Sequence, residues 1–237
     1  MFKRFLMKYR NVIFALALAV LIALSAGACF FALSLNTAQA QRLTVLLDAG
    51  HGGVDGGVTG VKTGVKESDV NLLFCREIQR AFEENGIKVV QTRMSENGLY
   101  GAATSGYKRR DMQKRAQIIH DTAPSVVLSV HQNSYPIPTR RGAQVFFREG
   151  AEQSKLLAHH LQKALNGMPE RVREFSPLVG DYYILNCSEY PSVIIECGFL
   201  TSPEDEALLL SEEYRKRFSK AVVDGVLTFL FSSASGG

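Results

Sequence analysis

Three side chains of this 237-residue chain could together hold a metal ion, and each lies at the end of a predicted strand or the start of a predicted helix. His51 follows an apolar run in LLDAGHGGVDGG, Glu67 opens a helical pattern, and His131 ends the run VVLSVH. Two imidazoles and one carboxylate form the ligand set of a catalytic zinc site that keeps a fourth position for water. Because ligand sites of open α/β sheets lie outside the carboxyl ends of the strands, the three are predicted to meet there.

A further carboxylate could supply the base that metal-assisted hydrolysis requires. Glu196 stands between Ile195 and Cys197 in the apolar run SVIIECGF. A buried carboxylate is costly unless it is paired or functional, and burial raises its pKa toward the range of a general base. Glu196 is therefore the predicted catalytic residue, and a salt-bridged structural glutamate is the alternative.

Two polar residues close to the histidines in the sequence are predicted to orient the imidazole rings by hydrogen bonding. Asp48 precedes His51 by three residues, and Asn133 follows His131 by two. Polar groups at such positions commonly fix the orientation of a ligating imidazole. Local hydrogen bonding within a turn is the alternative for both.

Other chemistries fit the motifs less well. The glycine-rich stretch lacks the Lys-Ser or Lys-Thr pair of a phosphate loop, and its glycines do not open a helix as a dinucleotide fingerprint requires. The glycines are instead expected to let backbone approach a metal and its substrate. Arginines 93, 109, 110 and 115 could meet substrate carboxylates or form a solvated face. No GxSxG motif is present, and Cys197 has no evident imidazole partner, which disfavours a serine or thiol nucleophile.

Strands and helices that alternate along the chain must position these residues. Apolar runs predict strands, and 3.6-residue periodicity predicts helices. The pattern indicates a single α/β domain with a mostly parallel or mixed central sheet of about six strands and helices on both faces. The predicted strands are residues 43–48, 87–92, 126–131, 143–147, 182–185 and 192–197, and the predicted helices are 67–85, 109–121, 151–166, a short one from 202, and 212–231.

Composition and charge exclude several classes of protein. The formal charge is +4, but four cations lie in the first ten residues, so the remainder is close to neutral and lacks the basic stripe of a nucleic-acid binder. The four cysteines form no CxxC pair, which disfavours a four-cysteine zinc site and predicts free thiols.

The N-terminal segment predicts delivery across a membrane. Residues 12–35 carry no charge and as a helix would span about 36 Å, enough for the hydrocarbon core of a bilayer. Ala38-Gln39-Ala40 resembles a signal cleavage site, whereas the length of the apolar run favours a retained anchor. We therefore expect residues 1–40 to be a signal peptide or N-terminal membrane anchor. Residues 41–237 are then a catalytic domain outside the cytoplasm, secreted or held at the outer face of the cytoplasmic membrane.

Five separated stretches, in this order, resemble the successive motifs of the zinc-dependent N-acetylmuramoyl-L-alanine amidases of the amidase 3 type: LDAGHGGVDGG, KESDVNL, TRMSE, SVHQNS and ECGFLTSPED. The resemblance covers residues 43–230. GYKRRDMQKRAQII after a Gly/Ser-rich loop, together with one hydrophobic N-terminal segment, further resembles the germination-specific amidases of endospore-forming bacteria.

The resemblance implies a reaction for the residues already named. One zinc ion is held by His51, Glu67 and His131, and Glu196 moves the proton while the amide between the lactoyl group of N-acetylmuramic acid and L-alanine is cut. Peptidoglycan is the implied substrate, and spore cortex maturing toward muramic-δ-lactam, in the space between the forespore membranes, is the implied setting. Alternatives are general wall turnover or division, a zinc peptidase or deacylase for another amide, and a non-catalytic wall-binding module. The need for an accessory protein stays open.

Overall fold

Six strands form one mixed sheet. They are β1 Thr44–Ala49, β2 Lys88–Gln91, β3 Val126–Asn133, β4 Gln144–Phe147, β5 Leu178–Val179 and β6 Ser192–Phe199. Their order across the sheet is β2-β1-β3-β6-β4-β5. Strands β2, β1, β3 and β6 run parallel, while β4 is antiparallel to β6 and parallel to β5. The carboxyl ends of the four parallel strands therefore share one edge, which we call the carboxyl edge.

Helices cover both faces of the sheet in this computed structural model, which describes Phe14, residues 18–25 and residues 43–233. They are α1 Glu67–Glu84, α2 Tyr107–Thr122, α3 Glu152–Asn166, α4 Tyr183–Asn186, α5 Pro203–Leu210 and α6 Glu212–Ser233. Helices α1, α3 and α6 pack together on one face, and α2 and α4 cover the other. The predicted α/β sheet with helices on both faces is confirmed.

Alternation along the strands decides which side chains face α2 and α4. Leu46, Val127 and Ile194 pack with Ile119 of α2 and Ile184 of α4 in one buried cluster. Because successive side chains in a strand point to opposite faces, every second residue after these three faces the same helices. Asp48, Ser129, His131 and Glu196 lie at those positions.

One predicted element is wrong. Residues 182–185, predicted as a strand, instead comprise Tyr182 and most of the short helix α4 (Tyr183–Asn186), and Leu178–Val179 is the strand at that end of the sheet. The N–H of Leu185 donates to the carbonyl of Tyr182 (3.0 Å), which closes a turn. Adjacent residues Ile184 and Leu185 are both buried in the cluster with α2, whereas a strand would send neighbours to opposite faces.

Residues 1–42 form a separate unit, of which Phe14 and residues 18–25 are described as helical. Most of the predicted signal or anchor, residues 1–40, lies outside the described residues. In the part of the chain that the structure describes, no helix is both long and apolar enough to cross a membrane.

Candidate metal centre and catalytic carboxylate

The three predicted ligands converge at the carboxyl edge of the sheet. One ligand atom from each of His51, Glu67 and His131 lies within 4.8 Å of the others. Nε2 of His51 is 3.2 Å, and Nδ1 of His131 is 2.9 Å, from Oε1 of Glu67. His51 follows β1, His131 lies in β3 and Glu67 begins α1. Two nitrogen donors and one carboxylate in this arrangement could hold a metal ion.

Backbone hydrogen bonds hold the Glu67 carboxylate in place. The N–H of Val58 donates to Oε2 (2.9 Å), and the N–H of Gln132 donates to Oε1 (3.2 Å). Burial alone would raise the pKa of Glu67, but hydrogen bonds to His131 and His51 and their charge hold that pKa well below its usual range. The buried carboxylate therefore stays ionised, as a metal ligand must.

Two glycines make room for the ligand side chains. A Cβ on Gly50 would lie 2.2 Å from Cε1 and Nε2 of His131, and a Cβ on Gly57 would lie 2.3 Å from Oε2 of Glu67. Gly57 also has a φ of +69°, which side chains rarely adopt. The glycines of the motif thus let the β1–α1 loop pass directly against the imidazole and the carboxylate.

Two buried arginines bind the backbone on which His51 stands. Arg93 donates to the carbonyls of Ala49 (2.8 Å) and Gly50 (2.7 Å). Arg115 donates to the carbonyls of Ala49 (2.7 Å) and His51 (2.6 Å). Since both arginines are buried and bound to backbone, the idea that they meet substrate carboxylates is wrong. They instead support the left-handed backbone of His51, whose φ is 62°.

The buried carboxylate of Asp48 binds Arg115 and so helps to hold the backbone at His51. Its carboxylate accepts hydrogen bonds from Arg115 (2.5 Å), Thr92 (2.7 Å) and Ser129 (2.7 Å). Burial alone would raise the pKa of Asp48, but the Arg115 guanidinium and the two hydroxyls lower it to about 2. Among the described residues Asp48 bonds to no imidazole, so its support reaches His51 through Arg115 and the backbone.

Besides Glu67, a second carboxylate lies next to the His51 imidazole: Asp55, which the sequence analysis did not predict. Its Oδ2 lies 3.1 Å from Nδ1 of His51, and its Oδ1 lies 3.7 Å from Nζ of Lys108. Burial lowers the pKa of His51, but Glu67 and Asp55 together raise it above its ordinary value. The available signal was an aspartate four residues after His51 in the same motif. Asn133, by contrast, accepts from the N–H of Ser134 (2.8 Å) in a local turn.

Glu196 lies beside the cluster on the neighbouring strand. It is the register partner of His131 across β3 and β6, so both side chains point to the same face. Its Oε2 is buried and accepts no hydrogen bond from the described residues. Burial, reinforced by the charge of Glu67 and opposed by the two histidines, raises the pKa of Glu196 to about 7. A carboxyl group with that pKa can take up and return a proton near neutral pH.

A cavity of about 250 Å³ opens in front of Glu196 and the two histidines. Four tyrosines line it, two from the segment that leads into α2 and two from the start of α4. The tyrosines are Tyr100, Tyr107, Tyr182 and Tyr183. Arg110, another arginine considered for substrate, donates instead to the carbonyls of Tyr100, Ala102 and Ser105 and so shapes the loop.

The cysteines offer no rival nucleophile in the part of the chain described. Cys75, Cys187 and Cys197 are free, as predicted. Cys197 is fully buried, and burial raises the pKa of its thiol well above the ordinary value. A thiol that stays protonated is a poor nucleophile.

Similar proteins of known family include amidases, whose reaction is consistent with the chemistry of the candidate site. The family model described as N-acetylmuramoyl-L-alanine amidase matches residues 45–228. The germination-specific N-acetylmuramoyl-L-alanine amidase of Bacillus subtilis is 29% identical over 188 residues, which cover 78% of each chain. The CwlD amidase of Clostridioides difficile, solved in complex with the GerS lipoprotein, superposes with a TM-score of 0.77 at 28% identity and covers 81% of this chain and 100% of that one.

A second solved structure, an N-acetylmuramoyl-L-alanine amidase from Clostridium difficile, superposes with a TM-score of 0.72 at 28% identity, covering 81% of this chain and 98% of that one. The family match extends over almost all of the α/β domain and includes every residue of the candidate centre. The chain therefore belongs to the N-acetylmuramoyl-L-alanine amidase family, and it is an enzyme that acts on peptidoglycan.

Proposed function

We propose that His51, Glu67 and His131 hold one zinc ion and that Glu196 is the catalytic base. The observation that carries this proposal is the convergence of the three ligand atoms within 4.8 Å, beside a carboxylate with an unpaired buried oxygen. A set of two imidazoles and one carboxylate suits zinc. Bound zinc would polarise the lactoyl carbonyl and lower the pKa of a water molecule.

The protein's own groups then have separate tasks. The N–H groups of Val58 and Gln132 hold the Glu67 carboxylate. Oδ2 of Asp55, 3.1 Å from Nδ1 of His51, would accept from that nitrogen when Nε2, which faces Glu67, ligates the metal. A histidine that ligates a metal commonly donates its other N–H to a carboxylate in this way. Ligand orientation is thereby set before substrate arrives.

Proton transfer falls to Glu196. Its carboxylate takes a proton from the attacking water and returns it to the nitrogen of L-alanine as the lactoyl amide breaks. The pKa of about 7 suits both directions of transfer at neutral pH. The tyrosine-lined cavity beside it would hold the muramyl and peptide parts of the substrate around the scissile bond.

Digestion of purified peptidoglycan by the full-length chain tests the reaction. Mass spectrometry should find new L-alanine amino termini and free lactoyl carboxyl groups. Chelation should abolish the release, and added zinc should restore it. New termini at any other amide, or release that survives complete metal removal, would contradict the proposal.

We further propose a role in spore cortex, with the product processed toward muramic-δ-lactam. The likeness to the germination-specific amidase of Bacillus subtilis supports it. Cortex from a deletion strain should lack muramic-δ-lactam, and normal lactam content would favour general wall turnover. Because the CwlD structure contains a lipoprotein, we also propose a protein partner for this chain, to be tested by adding candidate lipoproteins to the digestion.

Delivery outside the cytoplasm is proposed for residues 1–40, on the basis of the uncharged run at 12–35 and the cell-wall substrate. Removal of residues 1–40 should leave activity in vitro and abolish function in the cell. N-terminal sequencing of the mature protein distinguishes a cleaved signal from a retained anchor. Complementation of a deletion strain by the unexported domain would overturn this assignment.

A further inference from the structure

Two loops form an arginine-rich, partly apolar surface beside the proposed centre. The first, residues 134–142, follows β3, and the second, residues 171–175, lies between α3 and β5. Together they enclose a shallow hollow of about 390 Å³. Three of its apolar side chains are more than 40% exposed: Tyr135, Ile137 and Val172.

Two arginines of this surface lack carboxylate partners. Nε of Arg141 pairs with Asp205 at 3.0 Å and is thereby neutralised. Arg140 lies over the ring of Tyr135 at 5.2 Å, and Arg173 lies over the ring of Phe175 at 4.6 Å. Within the described residues, no carboxylate lies at ion-pair distance from Arg140 or Arg173. The hollow therefore presents two uncompensated cations on a domain whose overall charge is close to neutral.

The first loop is continuous with the carboxyl edge of the sheet, since it directly follows β3. Tyr135 is four residues beyond His131, so their Cα atoms are at most about 14 Å apart. The N–H of Tyr135 donates to Oγ1 of Thr201 (2.9 Å), five residues beyond Glu196. The near side of the hollow, at Tyr135, therefore lies within about 14 Å of His131, a distance that a polymer extending beyond the scissile bond can span.

We propose that this surface binds peptidoglycan next to the cleaved amide, with stem-peptide carboxylates on Arg140 and Arg173. The inference rests on the proposed function. Stem peptides carry free carboxylates, which guanidinium groups bind in a planar, paired geometry. Exposed Tyr135, Ile137 and Val172 offer apolar contact to sugar rings and aliphatic peptide groups. The site would hold neighbouring repeats of the polymer while one repeat is hydrolysed.

Sedimentation with insoluble peptidoglycan tests the surface. Full-length protein carrying Glu196→Gln would be used throughout, so that the polymer is not consumed. Adding Arg140→Gln and Arg173→Gln should weaken binding roughly three- to tenfold, the range for two partly exposed ion pairs. Arg140→Lys with Arg173→Lys keeps the charge and should retain most of the binding. Lys155→Gln with Lys220→Gln removes two exposed charges from α3 and α6 and should change nothing.

Chemically altered peptidoglycan identifies the ligand group. Amidation of the stem-peptide carboxylates should abolish the difference in peptidoglycan binding between the protein with Arg140 and Arg173 and the variant with glutamine at both positions. Removal of phosphate polymers with hydrofluoric acid should leave that difference intact. The inference would be overturned if the protein with both arginines and its glutamine variant bound untreated peptidoglycan equally. It would also be overturned if the difference in their binding disappeared when the phosphate polymers were removed. Because binding is measured without turnover, failure of the proposed hydrolysis would appear separately, as unchanged amides in the digestion with Glu196 intact.

Discussion

Replacing Gly50 with alanine should remove His131 from the centre without touching any ligand chemically. The new Cβ would lie 2.2 Å from two ring atoms of His131, whereas ordinary contacts begin at 3.4 Å, so the ring must move by about 1.2 Å. Zinc–nitrogen bonds are about 2.0–2.1 Å and tolerate only about 0.2 Å of error. Because neighbouring β1 and β3 are fixed in the sheet, the ring and not the backbone should yield.

We therefore expect zinc affinity to fall by roughly 100-fold, the upper end of the range for disturbing the support of a ligand. Turnover should fall in proportion when zinc is limiting. Competition with a chromophoric chelator measures the affinity, and thermal unfolding checks the fold, which overpacking should destabilise by about 1–3 kcal/mol. Gly56→Ala is the matched control, since its Cβ meets only the flexible side chain of Lys66. Unchanged zinc affinity in Gly50→Ala would refute the proposed role of His131.

Three further predictions address the carboxylates. Glu196→Gln should keep zinc and lose turnover by ~10²–10⁴-fold, measured by muropeptide release; activity within a few-fold of wild type would make Glu196 structural. Asp55→Ala should weaken zinc binding by roughly 10–100-fold and Asp55→Asn by less, because asparagine would still offer an oxygen to Nδ1 of His51; equal zinc affinities of the wild type and Asp55→Ala in a chelator assay would exclude this role of Asp55. The pKa of Asp48 in the folded protein is about 2, below its ordinary 3.8. Ionised Asp48 therefore contributes about 2 kcal/mol to the free energy of unfolding. This contribution is present above about pH 4 and is lost as the pH falls toward 2. Urea unfolding should accordingly show the destabilisation by Asp48→Asn shrinking from pH 6 to pH 3, and a constant difference would contradict that charge state.

The main features of the sheet could be predicted because its strands carry local signals. The apolar runs ending at Asp48 and His131 are buried parallel strands, and helix α1 begins at Glu67 and is followed by Gly86 with a φ of +72°. Since parallel strands end at one edge, the convergence of His51, Glu67 and His131 followed from element type alone. Their roles in zinc binding and catalysis stay predictions.

The failures arose where packing between distant segments decides the structure. Residues 182–185 have a strand-like composition, but burial of Ile184 and Leu185 against α2 selects a helical turn. Arg93 lies 44 residues from Ala49, and Arg115 lies 64 residues from His51, so no local pattern reveals that these guanidinium groups bind backbone carbonyls. Asp55 escaped notice for another reason: its contact depends on a loop with left-handed residues, a geometry that period-based rules do not describe.

Burial of the charged side chains of Arg93, Arg115 and Asp48 costs desolvation free energy. Their contacts indicate the structural role that they have. A non-glycine residue with positive φ costs of order 1–3 kcal/mol and persists only when its surroundings hold it. Here Arg93 and Arg115 bind the carbonyls of three successive residues that end at His51, and Asp48 and Asp111 neutralise Arg115. An apolar core could have stabilised the domain equally well, but it has no donors for those carbonyls. The network therefore fixes the left-handed backbone of His51, and in the proposed zinc site it would hold that ligand in position before the metal ion binds.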